Sequence, residues 1–293
     1  MNHNITEEEI LFSAVSREEL AAYDSKAAFA AFTDRVKRSG RKRRARIIGI
    51  SSFAAAALLF AVSALSFRAG RTDIESRLAD ITVEAPSGSR TKTTLPDGSV
   101  VWLNAGSTLR YSQSFGVADR QVALDGEGYF EVARKEDLPF RVCTDNVHVR
   151  VLGTKFNVRD YPDDPEAVVS LDEGRIAMCS PMSPADEKLL SPQHKAAVDK
   201  RSGRIVIESC ETSGHQQWIN GRLVFDGEPL PLIIKDIERC YSVQITLNNE
   251  KLSTLRFYGD FLRQEQSLTE VMDALATAGK FQYRLSGRQI EIY

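Results

Sequence analysis

Histidine and cysteine are scarce in this 293-residue chain, with four of each. The histidines are His3, His148, His194 and His215; none forms HExxH and no two sit at ligand spacing, which excludes the common zinc-hydrolase signature. Cys143, Cys179, Cys210 and Cys240 are too few for a disulfide scaffold, and their wide spacing excludes CxxC redox motifs and paired-cysteine zinc sites. A Cys179–Cys210 bridge stays open, while Cys240 reads as a small packed apolar residue. The chain also lacks a GxSxG elbow, a P-loop and a strand-linked GxGxxG. No catalytic, cofactor-binding or metal-ligating residue is expected, and no cofactor. An excess of charge is missing too: 38 basic residues face 40 acidic ones, a net of −2. That argues against a basic surface for direct nucleic-acid contact.

Long apolar runs are rare, and the mean hydropathy of −0.26 excludes a multi-spanning membrane protein. One run stands apart. Residues 47–67 hold no charge, no proline and one glycine. As a helix they would cover about 31 Å, close to a bilayer core. Before them, Arg35, Lys37, Arg38, Arg41, Lys42, Arg43, Arg44 and Arg46 form a basic neck without an acid. By the positive-inside rule, Arg41, Lys42, Arg43, Arg44 and Arg46 orient a single span with its N-terminus in the cytoplasm. The expectation is a single-pass protein of the inner membrane of a Gram-negative bacterium, with its C-terminus in the periplasm. The 46 residues before the run favour an uncleaved anchor over a signal peptide.

The expected order is a helical cytoplasmic segment (1–46), a transmembrane helix (47–67) and a juxtamembrane linker (68–82). An all-β periplasmic domain (83–178), a connector (179–217) with one strand expected at Arg204-Ile205-Val206-Ile207, and a C-terminal module (218–293) follow. In the first segment, Thr6…Glu9 and Ser16…Glu19 read as capping boxes. Phe29, Phe32 and Val36 share one helical face, and Ile10 and Leu11 belong to a second apolar cluster. So short a segment buries little core, and its stripes suit a groove on a partner protein.

From Val83 to Met178, short alternating runs such as Val100–Leu103 and Val147–Val151 recur between turn signals at Asp97-Gly98, Ala105-Gly106, Asp125-Gly126 and Glu173-Gly174. They indicate an all-β roll, solenoid-like or sandwich domain. Leu124–Tyr129 (LDGEGY) lacks the further oxygen ligands of a calcium loop and reads as a β-turn between two strands. The last module carries an internal repeat: Leu230–Leu247 aligns with Leu268–Leu285 at an offset of 38. Each copy starts with helical spacing and ends in alternation, and a strand precedes each. The module is therefore α+β, two β-α-β repeats closed by a hairpin through Ser286-Gly287. Ser267…Glu270 caps the second helix, and Gly279 is expected at its C′ position.

Several blocks together resemble the FecR-type transmembrane anti-sigma regulators. They are Thr93–Phe115 (TTLPDGSVVWLNAGSTLRYSQSF), Arg120–Val132 (RQVALDGEGYFEV), Val151–Val158 (VLGTKFNV) and Val169–Met178 (VSLDEGRIAM). The stretch from Trp218 (WINGRLVFDGEPLPLIIKDIERCYSVQI) is similar to the C-terminal module of such regulators, related to the short N-terminal domain of secretins and TonB-dependent transducers. The resemblance implies a relay without catalysis. The signalling domain of an outer-membrane TonB-dependent transducer would contact the C-terminal part. The N-terminal segment would hold an extracytoplasmic-function sigma factor, with Ile10, Leu11, Phe29, Phe32 and Val36 at the contact. An intramembrane protease would be a further partner. Two alternatives remain open at this point. One is an envelope assembly protein docking a secretin-like machine. The other, more remote, is a membrane-anchored periplasmic enzyme relying on a carboxylate such as Glu127.

Overall fold

The computed structural model describes residues 26–27, 29–37, 58–63, 65–66, 80–210 and 217–293. The chain divides into two compact units, Met1–Ile74 and Glu75–Tyr293.

In the first unit, residues 29–37 are helical. Residues 58–63 and 65–66 are helical as well. Among the described residues no helix is long and apolar enough to cross a membrane. This finding corrects the expected fold class, a single-pass protein with one transmembrane helix at 47–67, and with it the inner-membrane placement. Residues 47–57 and the basic neck of Arg41, Lys42, Arg43, Arg44 and Arg46 lie outside the described residues.

The second unit begins with thirteen strands in one sheet system. They are β1 (Ile81–Ala85), β2 (Thr91–Thr94), β3 (Val100–Leu103), β4 (Ser107–Tyr111), β5 (Arg120–Glu131), β6 (Phe140–Cys143) and β7 (His148–Val151). Then come β8 (Lys155–Asp160), β9 (Glu166–Glu173), β10 (Ile176–Cys179), β11 (Lys188–Leu190), β12 (His194–Asp199) and β13 (Ile205–Ser209). Strand β5 is the hinge of the architecture. Its first half pairs with β4 and β6, and its second half with β3 and β8. Two half-sheets result, β1-β4-β5-β6-β7-β10-β11 and β2-β3-β5-β8-β9-β12-β13. Their apolar faces form a single core. Phe130 stacks on Phe156 within its own half-sheet and meets Phe140 of the other edge-on, with centroids 5.1 and 6.1 Å away.

The crossing point is Gly126. Pairing with β4 ends at Asp125 and pairing with β8 begins at Gly126. Its φ is +105°, and a Cβ there would stand 2.5 Å from Ser107 Oγ. Asp125-Gly126 is thus a kink inside one twelve-residue strand, not the turn between two strands that the dipeptide suggests. The Leu95-Pro96-Asp97-Gly98 turn is locked from within. Asp97 accepts from the backbone N and Oγ of Ser99 and pairs with the fully buried Arg120 at 3.1 Å. Arg120 also donates to the carbonyls of Leu138, Ala133 and Lys135, so four of its five N–H groups are met by protein.

The expected connector is largely sheet. β11 extends β10, and β12 and β13 extend β9. β13 holds the strand expected at residues 204–207, whereas β11 and β12 hide in the sequence, the first because it is three residues long and the second because it buries only Ala196 and Val198. Cys179 ends β10 in one half-sheet and Cys210 follows β13 in the other; all four cysteines are free thiols, and Cys240 is buried.

The C-terminal module contains β14 (Arg222–Pro229), α1 (Leu230–Tyr241), β15 (Gln244–Leu247), β16 (Arg256–Leu262), α2 (Leu268–Gly279), β17 (Tyr283–Ser286) and β18 (Gln289–Ile292). Repeat-equivalent residues fill its core: Ile233, Ile234 and Ile237 from α1, and Val271, Met272 and Leu275 from α2. The strands of each β-α-β copy lie in different sheets. β14 pairs antiparallel with β16, while β15 runs parallel to β18, which also pairs with β17. Ser267 and Glu270 form the capping box. The left-handed residue closing α2 is Lys280 (φ 54°), matched in the repeat by Ser242 (φ 55°) after α1. Gly279 is the last helical residue instead, where a Cβ would press on Phe257 and Phe281 at 2.8 Å each.

Candidate functional site

In the first unit, the helix at 29–37 carries Phe29, Phe32 and Val36 at positions i, i+3 and i+7, one stripe along its face. All three are exposed, at 69%, 64% and 53%. Aromatic side chains left this open on a short helix match a partner's groove better than a core of their own. Ile10 and Leu11 lie outside the described residues.

In the second unit, the chemistry concentrates where β8 and the loop after it meet α1. The strand places Arg159 and Asn157 on neighbouring positions, and the helix offers Asp236 and Arg239 one turn apart. Arg159 donates to Asp164 at 2.9 Å and pairs with Asp236 at 2.9 Å. Arg239 holds Asp236 at 2.9 Å and Asp164 at 3.2 Å, with its guanidinium 3.9 Å from the centroid of the Tyr161 ring. Tyr161 anchors the loop by donating to the Ala105 carbonyl at 2.9 Å.

Glu127 lies at the back of this cluster. Its two oxygens accept from the side-chain amides of Asn104 and Asn157, each at 2.9 Å. Asn157 in turn accepts from the indole N–H of Trp218 at 3.2 Å. The backbone joins in, since Gly88 N–H donates to the Arg239 carbonyl at 2.7 Å. The sandwich and the C-terminal module are therefore tied by charge, side-chain amides and main chain together.

Burial and neighbours set the protonation states. Burial pushes the Glu127 carboxyl up, and Arg159 with the two asparagine amides pulls back only part of that rise. Burial would raise Asp236 too, but Arg159 and Arg239 more than offset it and hold the carboxyl below its ordinary range. Burial opposes the charge on Arg159, yet Asp236, Glu127 and Asp164 keep that guanidinium firmly protonated. Glu228, beside a bulge in β14, is pushed up to about 7 by burial and then by Asp236. Its Oε2 is buried without a hydrogen-bond partner.

A cavity of about 530 Å³ opens against this cluster, lined among others by Arg90, Glu127, Trp218, Glu228, Asp236 and Cys240. No hydroxyl or thiol nucleophile meets a base here, and among the described residues no group of His, Cys, Asp or Glu side chains is arranged to hold a metal ion. Glu127, Asp164 and Asp236 are each engaged by a cation or an amide, and Glu228 Oε2 is not. The arrangement is a clasp between two packed parts.

Sequence reasoning missed Arg159, Asp236 and Arg239. Arg159 and Asp236 are 77 residues apart, and Asp236 with Arg239 at i, i+3 on a helix reads as a solvated charged face. The one usable signal was the acid-rich Asp160-Tyr161-Pro162-Asp163-Asp164 loop following an arginine.

Residues 81–177 match the family described as FecR protein, and residues 222–292 match that described as FecR, C-terminal. Two crystal structures of a candidate anti-sigma factor from Parabacteroides distasonis ATCC 8503 are similar to this chain. Each is 31% identical with a TM-score of 0.67 and covers 73% of this chain; the alignments take in 98% and 99% of the two solved chains. Among curated proteins nothing matches.

Proposed function

The chain belongs to the FecR family, and from that premise we propose that it is an anti-sigma regulator whose two units do different work. The N-terminal helical segment holds an extracytoplasmic-function sigma factor. The second unit receives a signal from the signalling domain of a TonB-dependent transducer, through the C-terminal module. The observation that carries this reading is the match of both FecR parts in order along one unit, in a chain 31% identical to a candidate anti-sigma factor over 98% of its solved chain.

Two features support the division of labour. Phe29, Phe32 and Val36 give the N-terminal helix an apolar stripe suited to a partner's groove. Among the described residues the C-terminal module offers an open edge at β17, while Glu238 takes the outward N–H of Ile245 on β15, and Tyr258 on β16 is 78% exposed. An extended partner strand adds to such an edge through main-chain hydrogen bonds. The reaction is one of binding and release. The clasp of Arg159, Asp236, Arg239 and Asp164 fixes how the module sits on the sandwich, so a partner pulling on the module acts on the whole unit as one body.

The experiment is capture on the immobilised full chain of each purified sigma factor from the same genome, and separately of the transducers' signalling domains. Retention of one sigma factor, lost on Phe32→Asp, and of one signalling domain, weakened on Tyr258→Ala, is the expected result. Retention of no sigma factor overturns the reading.

A further inference from the structure

Strand β13 ends its half-sheet, and among the described residues no strand pairs with its outer side. Its inner side is paired. Asp199 N–H donates to the Arg204 carbonyl and Cys210 N–H to the Gln193 carbonyl, so the even-numbered residues turn their backbone groups toward β12. By the alternation of an antiparallel ladder, Ile205, Ile207 and Ser209 turn theirs outward, where no described strand pairs with them.

The side chains are unusual for an edge. Natural edges are blunted by lysine, by brevity or by cover. Elsewhere in the sheet system these devices are present: β2 carries Lys92, β11 is three residues long and starts with Lys188, and Thr91 Oγ1 covers the Glu84 carbonyl of β1. In β13, Val206 and Ile207 are 40% and 39% exposed on opposite faces. Ile207 lies opposite the fully buried Ala196, on the core side, so the core of the sandwich is open along this edge.

The sequence here reads Arg204-Ile205-Val206-Ile207-Glu208, a charge-and-apolar palindrome about Val206. Set antiparallel against itself with Val206 on the axis, it brings Ile205 opposite Ile207 and Arg204 opposite Glu208, twice over. This register also meets the backbone requirement, because the outward-facing residues 205 and 207 become the hydrogen-bonded pairs. Sliding each copy by one residue sets Arg204 or Glu208 against Val206, and one further slide sets Glu208 against Glu208. Among the described residues Glu208 pairs within its own copy with the half-exposed Lys195 at 3.6 Å, a long contact that leaves it available.

We infer that β13 is a self-association edge: two copies of this chain pair antiparallel through β13 about a two-fold axis at Val206, joining their sheets and closing the open side of each core. Cross-strand apolar and opposite-charge pairs are the units that stabilise such a ladder, and a two-fold contact of this kind closes on itself as a dimer.

Sedimentation velocity of the full chain over a concentration series tests it. The wild-type chain is expected to dimerise. R204E and E208R, each alone, set like charges opposite one another and weaken association at least about tenfold. Mixed in equal amounts they restore it, because every 204 position then faces a 208 position of opposite charge. Val206→Lys, which sets two cations on the axis, weakens it without touching either charged position. A wild-type chain that stays monomeric, a dimer untouched by Val206→Lys, or two folded charge variants that fail to associate when mixed would overturn the inference.

Discussion

The guanidinium of Arg159 on strand β8 and the carboxylate of Asp236 on helix α1 meet at 2.9 Å across the junction of the sandwich and the C-terminal module. Neither is stranded, since Arg159 also serves Asp164 and Asp236 is shared with Arg239. A buried pair of this kind contributes orientation more than net stability, because desolvation consumes most of the Coulombic gain.

Removing one partner should therefore cost more than removing both. Arg159→Ala leaves Asp236 and Asp164 short of a cation, and a loss of about 3–5 kcal/mol is expected. Arg159→Met combined with Asp236→Leu should cost clearly less than the sum of the single changes. Urea unfolding of the four proteins in a double-mutant cycle measures this; additive costs would show that the two groups do not act as a pair.

Glu228 gives the junction a pH dependence with a definite sign. Its carboxyl titrates at about 7 when folded, against an ordinary value of 4.5. Between those values the folded chain holds a proton that the unfolded chain has released, so the stability from this group falls as pH rises and levels off above about 7. Glu228→Gln removes that dependence. The variant should match the wild-type chain near pH 4 and gain up to about 3 kcal/mol at pH 8, read from thermal or urea unfolding at the two pH values.

Gly126 is predicted to tolerate no side chain. Alanine there meets both the positive φ and the Ser107 hydroxyl. A loss of at least about 2 kcal/mol is expected. Gly98 also has a positive φ but stands in open space, so Gly98→Ala should cost only the backbone term, about 1 kcal/mol. Equal effects at the two glycines would contradict the close approach of β4 to β5.

The parts of this fold that could be read in the sequence are those where local chemistry and long-range packing agree. The helices of the C-terminal repeat start at Leu230 and Leu268, as the offset of 38 requires, and the Ser267–Glu270 cap is a purely local device. Legibility ends where one signal serves two structures. Asp125-Gly126 reads equally as a turn and as a kink that moves β5 between half-sheets, and Lys280 takes the left-handed position that Gly279 advertises. The strands β11 and β12 carry too few apolar residues to stand out, whereas Ile205-Val206-Ile207 marks β13. Asp236 has no local signature, and Arg159 has only the acid-rich loop that follows it, since the folded sheet alone brings a strand and a helix so distant in sequence together. The stripe of Phe29, Phe32 and Val36 was legible because three residues on one helical turn spacing need no tertiary context.

The most direct measurement is a calorimetric titration of the full chain with the sigma factor that it captures, beside the same titration for Phe29→Asp and Phe32→Asp. A defined complex with the wild-type chain, weakened at least about tenfold by either substitution while the unfolding transition of the second unit stays in place, is the predicted result. Equal affinity for all three proteins would contradict the role of the apolar stripe, and the absence of any complex with a sigma factor would contradict the regulator itself.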